Sequence, residues 1–430
     1  GIRFTPKDVF LHQTVQSLAG VARQGVEGPS ISQAALSGEA MLLPIQQAFF
    51  ADEIAERHHW NQSVVLQPHE RLDPATLIQA LQALIVHHDA LRSQFHSGTH
   101  GWQSVYRGAE QHQADVVLWQ SRLHDIDGLT ALGEEAQRSL NLSHGPLMRA
   151  VLAQLNDGSQ RLLLVIHHLV VDGVSWRVLL EDLQTAYRQL TRGAAVVLPA
   201  KTSSTRDWAQ RLQQYAQGEA LRLELEGWQA RLQGAEADLP GAKSDASLSN
   251  RYAASATTHL DVPHTRRLLQ DAPGAYRTQI NDLLLTALAR VIGRWTGHAS
   301  TLIRLEGHGR EDLFDDIDLT RTVGWFTSIY PVKLTPEQTL AGSLKGIKEQ
   351  LRAIPDKGIG FGALRYLGQA PVREAMARLP QPRITFNYLG QFDTSFEGRE
   401  EQGLFAPSGV AAGADQSPEA SLGNWLDIHG

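Results

Sequence analysis

Residues 160–176 read Gln160-Arg161-Leu162-Leu163-Leu164-Val165-Ile166-His167-His168-Leu169-Val170-Val171-Asp172-Gly173-Val174-Ser175-Trp176. Asp157-Gly158 marks a turn just before, and 162–166 are apolar without interruption. A short apolar run bounded by a turn predicts a strand buried on both faces. After Asp172-Gly173, the residues Trp176, Leu179, Leu180, Leu183, Tyr187 and Leu190 recur at helical spacing, so a helix follows the loop. Two histidines thus stand at a strand end that leads into a helix. Neighbouring strand side chains point to opposite faces. His168 shares its face with Leu162, Leu164 and Ile166, and His167 shares the other with Leu163 and Val165. One histidine is then free for chemistry while the other is packed or hydrogen-bonded internally. Two core histidines at a strand end is the competing reading. A His-His-Asp metal site would need these side chains to converge against the alternation, and no HExxH string exists elsewhere, so no metal site is expected.

Two further strings have the same position, at a strand end. In Glu306-Gly307-His308-Gly309-Arg310-Glu311, Arg304 and Glu306 share one strand face, opposite Ile303 and Leu305. A carboxylate across a cleft from His168 would make an acid/base pair; a solvated Glu–Arg pair in a glycine-rich turn is the plainer reading. In Thr385-Phe386-Asn387-Tyr388-Leu389-Gly390-Gln391-Phe392-Asp393 an amide or phenol could orient a substrate, or the string is an aromatic strand end in a core. Other signals fail. Gly358-Ile359-Gly360-Phe361-Gly362 lacks dinucleotide spacing, and Gly173-Val174-Ser175 lacks the second glycine of a nucleophile elbow. The pairs His58-His59 and His87-His88 sit in helical contexts and read as structural or solvated.

Working outward, the order of elements is mixed. Helices are expected over 5–22, 43–55, 73–88, 129–140, 173–190, 206–232, 280–295, 340–354 and 372–379. Strands are expected over 64–66, 102–106, 115–119, 147–155, 257–262, 301–306, 327–334 and 383–388. Gly-, Ser-, Asp- and Pro-rich stretches at 191–205 and 233–250 mark the boundary between two lobes, each of mixed strands and helices. The 430 residues include 42% hydrophobic and 20% charged ones, enough apolar material for a core. The formal charge of −7, without basic runs, lacks the footprint of a nucleic-acid binder. The absence of cysteine removes disulfides, thiolate nucleophiles and Cys-ligated metals. No apolar run is long enough to span a membrane, and the opening Gly-Ile-Arg-Phe-Thr-Pro-Lys lacks a signal peptide's apolar core. A cytoplasmic location is expected.

The HHxxxDG string at 167–173 resembles the active-site motif shared by condensation-type domains of nonribosomal peptide synthetases and chloramphenicol-acetyltransferase-like acyltransferases. The strings PIQQAF (44–49), NDLL (281–284), EGHGRE (306–311), TVGWFTSIYPV (322–332), DKGIGFG (356–362) and FNYLGQFD (386–393) resemble the epimerization domains of those synthetases, in family order. The resemblance implies an α+β fold of two lobes, chloramphenicol-acetyltransferase-like, with the active-site cleft between them. Residues 3–22 resemble the last helix of a peptidyl carrier domain. The implied organisation is a carrier helix over 1–25, a linker over 26–40, an N-terminal lobe over 41–200, an inter-lobe connection over 201–250 and a C-terminal lobe over 251–430, with the chain cut at both ends.

Carried over position by position, the resemblance makes His168 and Glu306 the catalytic acid/base groups. His167, Gly173 and Trp176 belong to the same motif as supporting residues. Asp172 holds the loop, Asp182 helps hold the architecture, Arg310 supports the Glu306 side, and Asn387 and Tyr388 line the site. The implied activity is inversion at Cα of an L-aminoacyl or L-peptidyl thioester carried on the phosphopantetheine arm of a partner carrier domain. No cofactor of its own is implied. The partners are the upstream carrier and a downstream condensation domain, with neither nucleic acid nor membrane. The alternatives are a condensation domain that forms peptide bonds, or an inactive module that docks carriers.

Overall fold

The computed structural model describes residues 2–3, 14–21, 23–24, 31–99, 101–111, 114–243, 248–388 and 403–430. The fold is organised around the strand expected from the 162–166 run. With strands and helices numbered along the chain, β1 is Gly38–Ala40, β2 Asn61–Pro68, β3 Ser93–Gly98, β4 Gly101–Tyr106, β5 Leu118–Leu123, β6 Met148–Leu155 and β7 Gln160–His167. The first lobe's main sheet has the order β11-β2-β7-β6-β5, where β11 is Phe405–Pro407. β7 lies near its middle, antiparallel to β2 and β6. Both its faces are covered, which is why its sequence does not alternate. Leu162, Leu164 and Ile166 join the large core beneath helices α2 (Pro74–His87) and α4 (Gly173–Thr191), while Leu163 and Val165 pack with Leu129 and Ala136 of α3 (Gly128–Arg138). Asp73 caps α2 by accepting from the Thr76 N–H, with Pro74 in the first turn, as the Asp-Pro start predicts. A smaller sheet, β1-β4-β3, flanks this lobe.

The second lobe carries the sheet β9-β8-β10-β12, built from β8 (Thr301–Gly307), β9 (Ser328–Leu334), β10 (Ile384–Asn387) and β12 (Leu426–His429). β8 is antiparallel to β9 and parallel to β10. The long helix expected over 280–295 is present as Ile280–Thr296. One continuous cluster of buried apolar side chains runs through both lobes.

Several local expectations are corrected. Residues 115–119 are not one strand: Ala114–Val117 is helical and the strand starts at Leu118. Residues 257–261 form no strand with any of the described residues and are exposed, and Val262 opens a short helix, Val262–Arg266, because β-prone residues without a neighbouring edge have nothing to bond. The helix expected over 206–232 is three, Thr205–Gln217, Glu219–Arg222 and Glu224–Leu232. His58 and His59 sit in a turn, not a helix. The stretch read as a linker over 26–40 ends in β1, paired with β4. Nor does 251–430 keep to one lobe. β11 pairs with β2, the Asp415 carbonyl accepts from the Asn61 N–H, and Ala412 packs on Gly133. This return covers an edge of the first sheet that would otherwise expose unpaired backbone groups. Of the expected helix over 5–22, Val15–Val21 is helical, and Ile2–Arg3 pairs with Arg23–Gln24. Thr14 is a bend, and residues 5–13, 22, 26–30 and 389–393 lie outside the described residues.

Candidate active site

At the end of β7 the chain leaves the sheet in one tight turn, His168–Val170, before α4 begins. The turn separates the two histidines as the alternation predicts. His167 is fully buried; its Nε2 meets the Arg57 carbonyl at 2.8 Å and its Nδ1 accepts from the Leu169 N–H at 3.1 Å. Both nitrogens are committed, and burial pushes its pKa down to about 3. His167 is a structural, neutral ring.

His168 is half-buried and has a different set of partners. Its Nδ1 lies 2.8 Å from the Val171 carbonyl, which can only accept, so Nδ1 carries the proton and Nε2 presents a lone pair. Gln62 of β2 reaches that Nε2 with its own Nε2 at 3.2 Å. The Gln62 amide can turn only one way, because its Oε1 accepts from the Trp176 indole N–H at 2.9 Å. Trp325, from the second lobe, lies against the imidazole with ring centroids 4.3 Å apart. Burial lowers the His168 pKa below its ordinary value, which favours the neutral ring with its Nε2 lone pair unprotonated.

Glu306 sits near the end of β8. Its Oε2 accepts from the Asn387 Nδ2 at 2.7 Å. Asn387 reaches it because β10 runs parallel to β8 with Leu305 opposite Phe386. Burial raises the Glu306 pKa, the negative charge of Asp427 on β12 raises it further, and Arg304 pulls it back. Asn387, expected only to line the site, is thus the hydrogen-bond donor to the Glu306 carboxylate. Tyr388 is half-buried and packs against the core; no polar contact ties it to Glu306 among the described residues.

Asp172 and Arg310 join the lobes. Asp172 caps α4, its Oδ1 accepting from the Ser175 N–H and Oγ–H at 2.8 Å each. Arg310 donates to both of its oxygens, at 2.9 and 3.1 Å, and the pair is 6% and 7% exposed. Arg310 also donates to the carbonyls of Leu319 and Thr322, and the Phe326 N–H donates to Asp172. The expectation that Arg310 supports the Glu306 side is thus corrected: its guanidinium turns to the other lobe, where one nitrogen, Nη2, donates to both oxygens of a buried carboxylate. Gly309 permits this with φ +69°, where a side chain would strike the Phe326 carbonyl. Asp182, 1% exposed, takes His88 at 2.9 Å and Arg321 at 2.6 Å, fastening α4 to the end of α2 and to the second lobe. Gly173 opens α4, and nothing lies within reach of a Cβ there.

The two candidate groups stand at strand ends on the two lobes, His168 just after β7 and Glu306 near the end of β8. Ser328 at the start of β9 pairs with Gly307, the residue after Glu306, and Trp325 three residues earlier lies on His168. Beside this junction is a cavity of about 400 Å³ between Pro44–Ala51, β9 and residues 359–366, with Arg304 in its wall. Arg304 shares the strand face of Glu306. Neither His168 nor Glu306 is among the lining residues of that cavity. Sequence reasoning missed Gln62, Trp325 as the cover of His168, and Asp427. Gln62 stands inside a strand reading Asn-Gln-Ser-Val-Val and carries no signal; Trp325 stands in the TVGWFTSIYPV string, where nothing singles it out.

The Condensation domain family model matches residues 36–419. This chain belongs to that family. It is 40% identical over 436 residues to surfactin synthase subunit 1 of Bacillus subtilis (strain 168), covering 100% of this chain and 12% of that protein. It is 38% identical over 427 residues to tyrocidine synthase 2 of Brevibacillus parabrevis, covering 98% of this chain and 12% of that one. The chain therefore spans a small part of these relatives. Among solved structures, the epimerization domain from the third module of tyrocidine synthetase B matches with a TM-score of 0.83 and 38% identity, over 93% of this chain and 89% of that one. The X-domain from teicoplanin biosynthesis matches with a TM-score of 0.69 at 20% identity, over 92% and 86%, and shares the fold. The α+β, two-lobed, condensation-type fold is thus the fold of this chain, which is a condensation-superfamily domain of the nonribosomal peptide synthetase kind.

Proposed function

We propose that this domain epimerizes the Cα of an L-aminoacyl or L-peptidyl thioester, giving the D form. The substrate arrives on the phosphopantetheine arm of an upstream carrier domain and leaves toward a downstream condensation domain, in the cytoplasm. Among the described residues no helix is long and apolar enough to cross a membrane.

The observation that carries this reading is a set of opposites at two strand ends: on one lobe a neutral imidazole whose Nε2 lone pair faces the Gln62 amide, and on the other a carboxyl whose pKa is raised. A thioester acidifies its Cα–H more than an amide does, because sulfur donates weakly into the carbonyl. Inversion needs a proton taken from one face and one delivered to the other. His168 supplies the base and Glu306, its pKa raised by burial, the acid; in the reverse direction the roles exchange. Such an exchange calls for neither metal nor pyridoxal phosphate. The match to a tyrocidine synthetase epimerization domain supports the same reading.

The test is to incubate the protein with an L-aminoacyl or L-peptidyl carrier in deuterated water, hydrolyse the thioester, and score deuterium and chirality at Cα. Deuterium together with a mixture of D and L is expected. A substrate that stays L and unlabelled while an added aminoacyl acceptor becomes acylated would establish condensation instead. No change at all would leave carrier docking as the role.

A further inference from the structure

We infer that Gln62 is the hydrogen-bond donor to the thioester carbonyl oxygen as that oxygen gains negative charge. The inference rests on the epimerase reading above. The Gln62 carboxamide is held in one orientation, since its Oε1 is taken by the Trp176 indole N–H at 2.9 Å. Its Nε2 consequently faces His168, 3.2 Å from the ring Nε2. Because the His168 Nδ1–H is engaged by the Val171 carbonyl at 2.8 Å, the lone pair that can accept a proton is the one Gln62 now covers.

A Cα–H that reaches this lone pair displaces the amide N–H from it. The carbonyl oxygen is two bonds from Cα, so it arrives beside the same Nε2. The displaced donor then has one new acceptor, the oxygen on which charge develops. The step balances without any redox partner. The Cα–H bond breaks, its proton goes to His168 Nε2, and the electron pair spreads over Cα and the carbonyl oxygen. The Glu306 carboxyl then returns a proton to Cα on the opposite face, and the pair goes back into the new C–H bond. A pre-oriented donor in a partly buried site costs little reorganisation at the moment of reaction, which is where such donors contribute most. Trp176 is a positioning residue in this scheme: it touches no substrate and keeps the Gln62 amide from flipping.

The experiment compares wild type, Gln62→Met and Trp176→Phe, using the carrier-bound L-aminoacyl thioester in deuterated water. kcat and KM for Cα exchange are read together with the His168 tautomer by ¹⁵N NMR. For Gln62→Met the expected result is a fall in kcat of about 10²-fold with KM unchanged. The proton should stay on Nδ1, because Val171 still holds it. Trp176→Phe should give a smaller loss of the same kind. Unchanged kcat in Gln62→Met would overturn the assignment, and so would a loss accompanied by a move of the proton to Nε2, which would make Gln62 an orienter of the base. If wild type fails to exchange, the epimerase reading falls first and this assignment with it, whereas exchange in wild type and in Gln62→Met alike removes the assignment alone.

Discussion

The two halves of the site are held in different ways. On the first lobe His168 is fixed by Val171 at one nitrogen, by Gln62 at the other, and by the Trp325 ring on its face. On the second lobe, among the described residues, Glu306 has Asn387 as its close hydrogen-bond partner and is otherwise governed by burial and by the charges of Asp427 and Arg304. The contrast teaches how a fold prepares two ionisable groups for opposite tasks. The proposed base is set by geometry, with its tautomer imposed through hydrogen bonds. The proposed acid is set by environment, with burial and a neighbouring negative charge raising its pKa.

That contrast can be broken most severely at His168. A His168→Ala variant should lose about 10²–10⁴-fold in Cα exchange, the span of general acid–base contributions. Its fold should persist, because the residue is half-buried and the neighbouring His167 holds the turn; circular dichroism and exchange rates check both halves.

The next effect falls on the hinge between the halves. Replacing Arg310 by Met leaves the Asp172 carboxylate buried without its partner, and denaturant unfolding should show a loss of about 3–5 kcal/mol. Exchange should fall as well, because Asp172 anchors the loop after His168. Unaltered stability would show that the lobes are joined by something other than this pair.

A subtler change sharpens the comparison on the second lobe. Asn387→Ala removes the donor to the ionised Glu306, a bond worth about 1.5–3 kcal/mol when charge is involved. The carboxylate becomes less favourable and the Glu306 pKa rises further. Activity in the L-to-D direction requires Glu306 protonated, so the alkaline limb of the pH–rate profile should move to higher pH. A limb that moves down, or stays, would show that Glu306 is not the group titrating there.

A more gradual effect, spread over several pH units, is on stability against pH. His167 is held neutral by burial, with its pKa pushed down to about 3 from an ordinary 6.5. Between those values the unfolded chain binds a proton that the folded one refuses. The stability present above pH 6.5 should therefore decline as the pH falls through that window, by about 1.4 kcal/mol per unit for one proton. Denaturation curves at stepped pH measure it.

What the sequence made legible follows the same division. The strand, turn and helix of 160–191 could be read because periodicity and turn residues are local signals, and alternation alone separated His167 from His168. The strand end that carries Glu306 was legible for the same reason, whereas the Asn387 contact with it depends on how β10 pairs with β8. The destination of Arg310 was not legible, since its partner Asp172 lies 138 residues away and a nearer carboxylate was the simpler choice. Gln62 was invisible for a related reason: a polar residue inside a strand reads as solvent-facing until β2 is paired with β7. The failed strand at 257–262 makes the converse point, that β-prone residues make a strand only where a neighbouring edge accepts their hydrogen bonds.

The central claim is that inversion needs one proton-transfer group from each lobe. The direct test follows deuterium and chirality at Cα together in Glu306→Gln, beside wild type, on a carrier-bound L-thioester. Inversion should be lost while deuterium still enters at the face served by His168, leaving labelled L product. D product formed by Glu306→Gln at the wild-type rate would contradict the account and leave one group working both faces.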